Sequence, residues 1–404
     1  MLLLTLAWRN VWRNKKRSFI ITFAIALGLW AGLFLVSFYN GMIGQRLDSA
    51  LRIEFSHIQI HAKEYQHDYE LKFCIPESGQ MMEQLKSKDS IESVSGRVIA
   101  YGMLANARGH AGLKTYGVQV GTEKSLTRLF EKIVEGDYLS PSANNEMIIG
   151  RALAKKMSIR VRSKVVFTFE GMEGNLVSTA FRIVGFYETH NALFDEHNAF
   201  TNISNLDTLA GIPGSLHEIA IFVKPGVEIE QIQKHIQKEY PQTIVQTWKD
   251  ISPELSYTSS MTDQIMYIYM GIILLALSFG IINTMLMSVL ERTAELGMLM
   301  AIGMSNYRVF GMILLETFLL VASASPAGFA LAMVCIQYFG KHGIHLEKYK
   351  DVYQNFGYSS TIYPTIQMHQ FQQVISLLII TAFLSSLAPA MKAIRIKPLK
   401  AIRK

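Results

Sequence analysis

The chain has 404 residues, half of them hydrophobic and only 18% charged, with a mean hydropathy of +0.21, whereas an ordinary globular protein carries about 25% charge. Two cysteines exclude a disulfide scaffold or a cysteine-rich zinc site, and ten prolines without biased tracts exclude a mainly disordered or collagen-like chain. The net charge of +7 sits at the ends: the first 17 residues carry five basic side chains and no acid, the last 13 carry six and no acid, and residues 41–262 hold 23 basic against 26 acidic, a positive-inside pattern and not a nucleic-acid-binding surface.

Residues 1–17 open the chain. Leu4, Leu6, Ala7, Trp8, Val11 and Trp12 interleave with Arg9, Arg13 and Lys16, which predicts an amphipathic helix on the inner leaflet of a membrane. Residues 18–40 are free of charge, and about 22 residues at 1.5 Å each cross a hydrocarbon core of roughly 30 Å. The run is too long for the apolar part of a signal peptide, so the helix is expected to be retained. Further apolar runs predict spans at 263–290, 309–340 and 370–391. The third of the four is interrupted by Glu316 and by Pro326 with Gly328, and the last carries Pro389 near its inner end. Basic ends place both termini and the segments 291–308 and 392–404 in the cytoplasm, with 41–262 and the loop 341–369 outside. Glu316 is the one ionisable residue well inside a span and is expected to face neighbouring helices.

The outer segment is long enough for its own core. Residues 54–62 alternate like a strand, 77–87 read as a helix, and 91–121 offers strands around Val98, Ile99 and 116–120. A second β-α-β pattern occupies 218–223, 228–240 and 243–247, and between the two lies a β-rich stretch, about 131–211. The expected fold is thus an α-helical membrane protein with four transmembrane helices plus a large α/β extracytoplasmic domain, a split βαβ layer with an inserted β-rich subdomain.

No phosphate-binding G-x-x-x-x-G-K-[ST] loop occurs, so the chain is not expected to hydrolyse nucleotide, and G-x-S-x-G, H-E-x-x-H and C-x-x-C are missing too. Glu188, His190, Asp195, Glu196 and His197 cluster within ten residues but at no standard metal spacing, and His57 with His61 lacks a third ligand. Neither set is read as a metal site. The methionines between 261 and 304 read as pliable helix packing.

The loop 291–308 is more informative. Glu291 and Glu295 fall on one helical face, and Arg292 lies three residues from Glu295. Leu296, Leu299 and Met300 form an apolar ridge, Gly303 is placed to close the helix, and Ser305 is placed to cap the next span. Such a short amphipathic helix is shaped either to dock a soluble partner or to lie on the surface as a connector.

The run Glu291-Arg292-x-x-Glu295-Leu296-Gly297-x-x-x-Ala301-Ile302-Gly303 resembles the cytoplasmic signature of the FtsX/MacB/LolC-E superfamily, the four-span permeases of type VII ABC transporters. The opening run from Ala7, Arg9 and Asn10 through Arg13 to Ser18 is similar to that family's opening motif, and the run from Pro389 through Pro398 to Arg403 to its closing one. Residues 136–139, 146–154 and 181–185 look like its extracytoplasmic domain.

The resemblance implies a non-catalytic permease in a bacterial inner membrane, working by mechanotransmission. ATP and magnesium would be held by a separate LolD-like ATPase, seated on Glu291, Arg292, Glu295, Leu296, Gly297, Ala301 and Gly303. A second permease copy or paralogue, membrane lipids and a lipoprotein or other lipophilic cargo complete the implied partners, with no nucleic acid. The size of the outer domain and the absence of a fused ATPase favour a LolC/LolE-like lipoprotein-releasing permease. The alternatives are a MacB-like exporter of another periplasmic substrate and an FtsX-like regulator that signals ATP state without transport. In LolC a proline-bearing hook recruits a periplasmic carrier; the matching hairpin here, 170–178, has no proline. Three acyl chains of roughly 15 methylenes would cost roughly 35 kcal/mol to expose to water, so release demands an apolar shelter. Phe34, Phe38, Tyr39, Met266, Tyr267 and Met270 at the outer ends of the first two spans offer it, or form an ordinary aromatic belt.

Overall fold

Among the described residues, four helices are long and apolar enough to cross a membrane. They run Lys15–Ala50, Thr262–Glu291, Asn306–His342 and Met368–Ile394. The first is 36 residues long, roughly 54 Å at 1.5 Å per residue and so well beyond a single hydrocarbon thickness. The computed structural model describes residues 2–65 and 69–396; residues 397–403 of the closing motif lie outside them. These residues divide into a helical unit (2–42, 260–345 and 361–396) and an α/β unit (43–65, 69–259 and 346–360).

In the helical unit the core runs from Ile25, Leu29 and Leu33 through Met266, Met270 and Met285 to Leu320 and Val374. Small residues let the spans approach closely. A Cβ on Gly328 would stand 2.8 Å from the Ala26 carbonyl oxygen, and one on Gly41 would overlap the Tyr363 carbonyl. The N-terminal helix Leu2–Arg13 packs on the third span through buried Ala7 and Val11. Trp8 and Trp12 stay exposed, edge to face at 6.0 Å.

The α/β unit is built on one sheet of ten strands: β1 (Ile58–Ala62), β2 (Ile91–Asn106), β3 (Gly109–Val118), β4 (Ile133–Gly136), β5 (Glu146–Gly150), β6 (Lys164–Glu170), β7 (Leu176–Tyr187), β8 (Asn198–Asn202), β9 (Glu218–Val223) and β10 (Thr243–Thr247). The order is β10-β1-β9-β2-β3-β8-β5-β7-β4, with β6 joining β2 and β7. β1 lies antiparallel between β9 and β10, and β9 antiparallel between β1 and β2, so two βαβ units interleave. The strands of the 131–211 stretch are not a sheet apart. β8 pairs in parallel with β3 from Lys114↔Asn198 to Val118↔Asn202, and the long β2 reaches β6 over Gly102–Ala105. One apolar core, from Ile58 and Val98 to Phe167 and Phe181, runs beneath both parts. Residues 54–57 are not strand: a π-helical turn, Leu51–Phe55, ends at Ser56 with φ of 59°. The edge strand β10 is sealed by side chains of the helix Ile229–Glu239. Gln233 donates to the Val245 carbonyl, Gln237 donates to the Thr243 carbonyl, and Gln237 accepts from the Val245 amide, each at 2.9 Å.

Asp195 is expected to make the stability of this unit depend on pH. Burial pushes its carboxyl up to about 7, although Thr189 donates to it from both its amide (2.9 Å) and its hydroxyl (2.6 Å). Because the folded value lies above the unfolded 3.8, stability held by the protonated form is full below about pH 4 and is lost as pH rises through about 7. Asp195→Asn is expected to flatten the melting temperature of the α/β unit over that window, with a gain on the order of 2–4 kcal/mol at pH 8. A variant whose pH profile matches the parent's would contradict this.

Candidate functional site

Between the second and third spans the chain leaves helical geometry at Arg292 (φ −103°, ψ 15°), forms the helix Thr293–Ala301 and turns at Gly303, whose φ of +106° favours glycine. The Gly303 amide donates to the Met300 carbonyl and the Met304 amide to the Leu299 carbonyl, the double closure of a Schellman end. Ser305 precedes the third span but makes no side-chain cap; the following turn is closed by its carbonyl, which accepts from the amides of Arg308 and Val309.

The ridge faces inward. Leu296 is wholly buried in the helical unit, Gly297 is buried beside it, and Leu299, Met300 and Met304 pack against the same core. The outward surface carries other apolar side chains: Met298 is 53% exposed, Ile302 79% and Tyr307 90%, with Ala301 and Gly303 also exposed. The spacing points to an amphipathic helix but not to which apolar residues stay outside, because that depends on the third span.

The charged residues at the start of this helix, Glu291, Arg292 and Glu295, are all engaged. Arg292 Nη1 reaches both oxygens of Glu316 at 3.0 and 3.1 Å, and Asn10 Nδ2 donates to the same carboxylate at 2.6 Å. Arg292 and Glu316 are nearly inaccessible, at 8% and 3% side-chain exposure. Around this buried centre lie surface pairs: Arg13 with Glu295 at 2.8 Å, Arg17 with Glu291 at 2.7 Å and Arg292 Nε with Glu295 at 3.3 Å. The Arg13 hydrogen bond, ahead of the opposing desolvation and the Arg292 contact, holds the Glu295 carboxyl below its usual range. Exposed pairs stabilise by about 0–1 kcal/mol each, whereas stripping a buried ion of its partner costs about 3–5 kcal/mol. The Arg292–Glu316 pair therefore sets the geometry and the outer pairs align it. The N-terminal helix, the short helix and the third span meet at these side chains. Sequence reading missed Asn10, Arg13 and Arg17 as partners, although Arg13 and Arg17 stand four apart just as Glu291 and Glu295 do.

The residues considered for a lipid shelter are divided. Met266 and Met270 are fully buried in the helical core, Phe34 stacks on Trp30 at 6.2 Å and meets Phe339 at 5.7 Å, Phe38 is half-buried, and Tyr39 lies against Tyr269 at 6.3 Å. Tyr267 is exposed.

The acidic and imidazole cluster near residue 190 disperses. Glu188 takes Lys350, Arg151 and Gln354, Glu196 pairs with Lys156, and His197 Nδ1 lies 3.0 Å from the Leu193 carbonyl. His57 and His61 also part: His57 Nδ1 accepts from the Val223 amide, and His61 Nδ1 meets the His217 carbonyl. Among the described residues no group of three or more His, Cys, Asp or Glu is arranged to hold a metal ion.

Comparison with known proteins gives two family matches, a MacB-like periplasmic core domain over residues 18–239 and an FtsX-like permease C-terminal region over 267–398. An uncharacterized ABC transporter permease of Methanocaldococcus jannaschii is 22% identical over 82% of this chain and 83% of its own length. The lipoprotein-releasing system transmembrane protein LolC of Buchnera aphidicola is 24% identical over 75% and 74% respectively. Among solved structures, the periplasmic region of MacB from Actinobacillus actinomycetemcomitans covers 55% of this chain and 97% of its own, with 12% identity and a TM-score of 0.36.

Proposed function

The chain belongs to the FtsX/MacB/LolC superfamily of ABC transporter permeases, and from that premise we propose that it couples a separate ATPase to the release of lipoproteins from the outer leaflet of a bacterial inner membrane. The observation that carries this reading is the helix Thr293–Ala301, ion-paired at its start to the N-terminal helix and the third span and apolar on its outward face. In the proposed orientation this helix and both termini are cytoplasmic, and the α/β unit is periplasmic. A LolD-like ATPase holds ATP and magnesium and seats on Met298, Ile302 and Tyr307. When two nucleotide-binding subunits close, the short helix moves. Because Arg292 and Arg13 tie it to the third span and the N-terminal helix, it moves them too instead of bending away.

Lipoprotein release is favoured by the LolC relatives and by the match along most of their length. The cargo's acyl chains need an apolar path, for which the half-buried Phe34, Phe38 and Tyr39 of the first span are the proposed start.

Ile302→Asp combined with Tyr307→Asp is expected to reduce co-purification of the ATPase at least tenfold, since two exposed apolar contacts of about 1.5–3 kcal/mol each are replaced by charge. Both positions are exposed, so the chain itself should melt like the parent. Undiminished co-purification would refute the docking surface. In proteoliposomes holding the permease, the ATPase and an acylated lipoprotein, ATP should release the lipoprotein to an acceptor. ATP turnover without release would leave the ATPase coupling standing and overturn the cargo.

A further inference from the structure

The loop between the third and fourth spans carries a small helix with an uncovered apolar side. The third span ends at His342 and the fourth begins at Met368. Between them Ile344–His345 pairs antiparallel with Thr361–Ile362, and this strand pair stands at the lipid boundary. Gly41 lies against the Tyr363 carbonyl, and the Thr365 amide donates to the Ser37 carbonyl at 3.0 Å. Ser37 and Gly41 flank the end of the uncharged run 18–40.

From the strand pair hangs the segment 346–360, with the helix Lys350–Asn355 at its centre. One face of that helix is held. Lys350 Nζ donates to Glu188 at 2.7 Å, Gln354 Nε2 donates to the same carboxylate at 3.4 Å, and the helix packs against Ala192–His197. At about 100° per residue, Tyr349, Val352 and Phe356 gather on the opposite side. They are 54%, 57% and 72% exposed. Tyr363 and Met368, on the way to the fourth span, are exposed too. Single apolar residues on a surface need no explanation, but three on one side of so short a helix, two of them aromatic, do.

We propose that this side is an interfacial anchor, lying in the headgroup layer of the leaflet where the third span ends. Chain length keeps it there: Tyr349 is four residues from His345 and Phe356 five from Thr361, within roughly 14–18 Å of the strand pair even if fully extended. Aromatic side chains favour that layer, where the ring meets acyl chains and a phenol hydroxyl stays wet. Three side chains fall far short of the roughly 800 Å² per partner that a stable protein interface buries, whereas insertion among lipids needs no such area. The attraction is apolar, not electrostatic, because exposed Glu347 and Asp351 balance exposed Lys341 and Lys348. Lys350 and Gln354 then tether the α/β unit, through Glu188, to the bilayer surface. The proposal rests on the four helices crossing a membrane and is independent of the cargo.

The test uses the full chain in nanodiscs of neutral phosphatidylcholine, with the photo-crosslinking side chain p-benzoylphenylalanine in place of Val352 or Phe356. Phe279, exposed within the second span, and Leu176, exposed at the start of β7, are the reference positions. On irradiation, positions 352 and 356 should give lipid adducts within about threefold of the yield at 279 and at least about tenfold above that at 176, read by mass spectrometry. With the probe at 352, Tyr349→Asp combined with Phe356→Asp should cut the adduct at least about fivefold. Both positions are exposed, so the melting temperature should hold. Adducts at 279 but not at 352 or 356 would overturn the anchor and leave the spans standing, whereas their absence at 279 as well would remove the spans with it. Cross-links from 356 to a second copy of the chain or to another protein in place of lipid would also overturn the anchor, as would adducts that form only with anionic lipid.

Discussion

Replacing Arg292 by alanine is expected to destabilise the helical unit by about 3–5 kcal/mol and to lower ATP-driven transport at least tenfold. Removal of the guanidinium leaves the Glu316 carboxylate inside the helix bundle with Asn10 as its remaining donor. Total stabilities of folded domains are about 5–15 kcal/mol, so the loss is a large share of what holds these helices in place. Glu316→Gln is milder: it retains an oxygen for Asn10 and Arg292 and leaves the arginine with the exposed Glu295, at 3.3 Å, as its remaining counterion. The double variant Arg292→Met with Glu316→Leu removes both charges and should melt close to the parent, since an apolar pair of similar volume is often as stable as a buried ion pair. Thermal unfolding in nanodiscs reads all three. If Arg292→Ala melts with the parent, the pair has no structural role and the relay through it fails with it.

The second large effect is expected at Arg97. It is 2% exposed and is shared by two buried carboxylates contributed by different elements, Glu123 from the helix Val120–Leu126 and Glu218 from β9. Burial pushes the Glu218 carboxyl up, but Arg97, with His61 and Lys114, pulls it below its usual range. Arg97→Leu would leave both acids buried without their main cation, at a cost of about 3–5 kcal/mol or more, and should make the α/β unit sensitive to trypsin under conditions where the parent resists. Adding Glu123→Gln and Glu218→Gln to Arg97→Leu removes the uncompensated charges and should restore most of the resistance. Equal protection of Arg97→Leu and the parent would show that the triad is energetically idle.

The spans are legible because lipid leaves the chain little choice: an uncharged run of the right length must be a helix, and 18–40 or 263–290 admits few other readings. The stop of the short helix is legible at Gly303 for a similar local reason, whereas its start, the break at Arg292, is not. Nor is its orientation. Leu296 and Ile302 are equally apolar in sequence, and only the third span decides that one is wholly buried and the other 79% exposed. In the α/β unit, strand positions follow from alternation, but pairing partners are chosen by the tertiary fold. That is why a stretch that reads as an insert shares its sheet with β2 and β3. The buried triad of Arg97, Glu123 and Glu218 is invisible for the same reason, because its members come from distant positions and none announces the others.

The glutamine seal along β10 has a consequence for what can pass nearby. An extended polypeptide carries free amides and carbonyls that can zip onto any open strand. Gln233 and Gln237 occupy the places such a visitor would take on Thr243 and Val245. This edge of the sheet is therefore closed at Thr243 and Val245 to strand addition, and so to the edge-to-edge association an open strand invites.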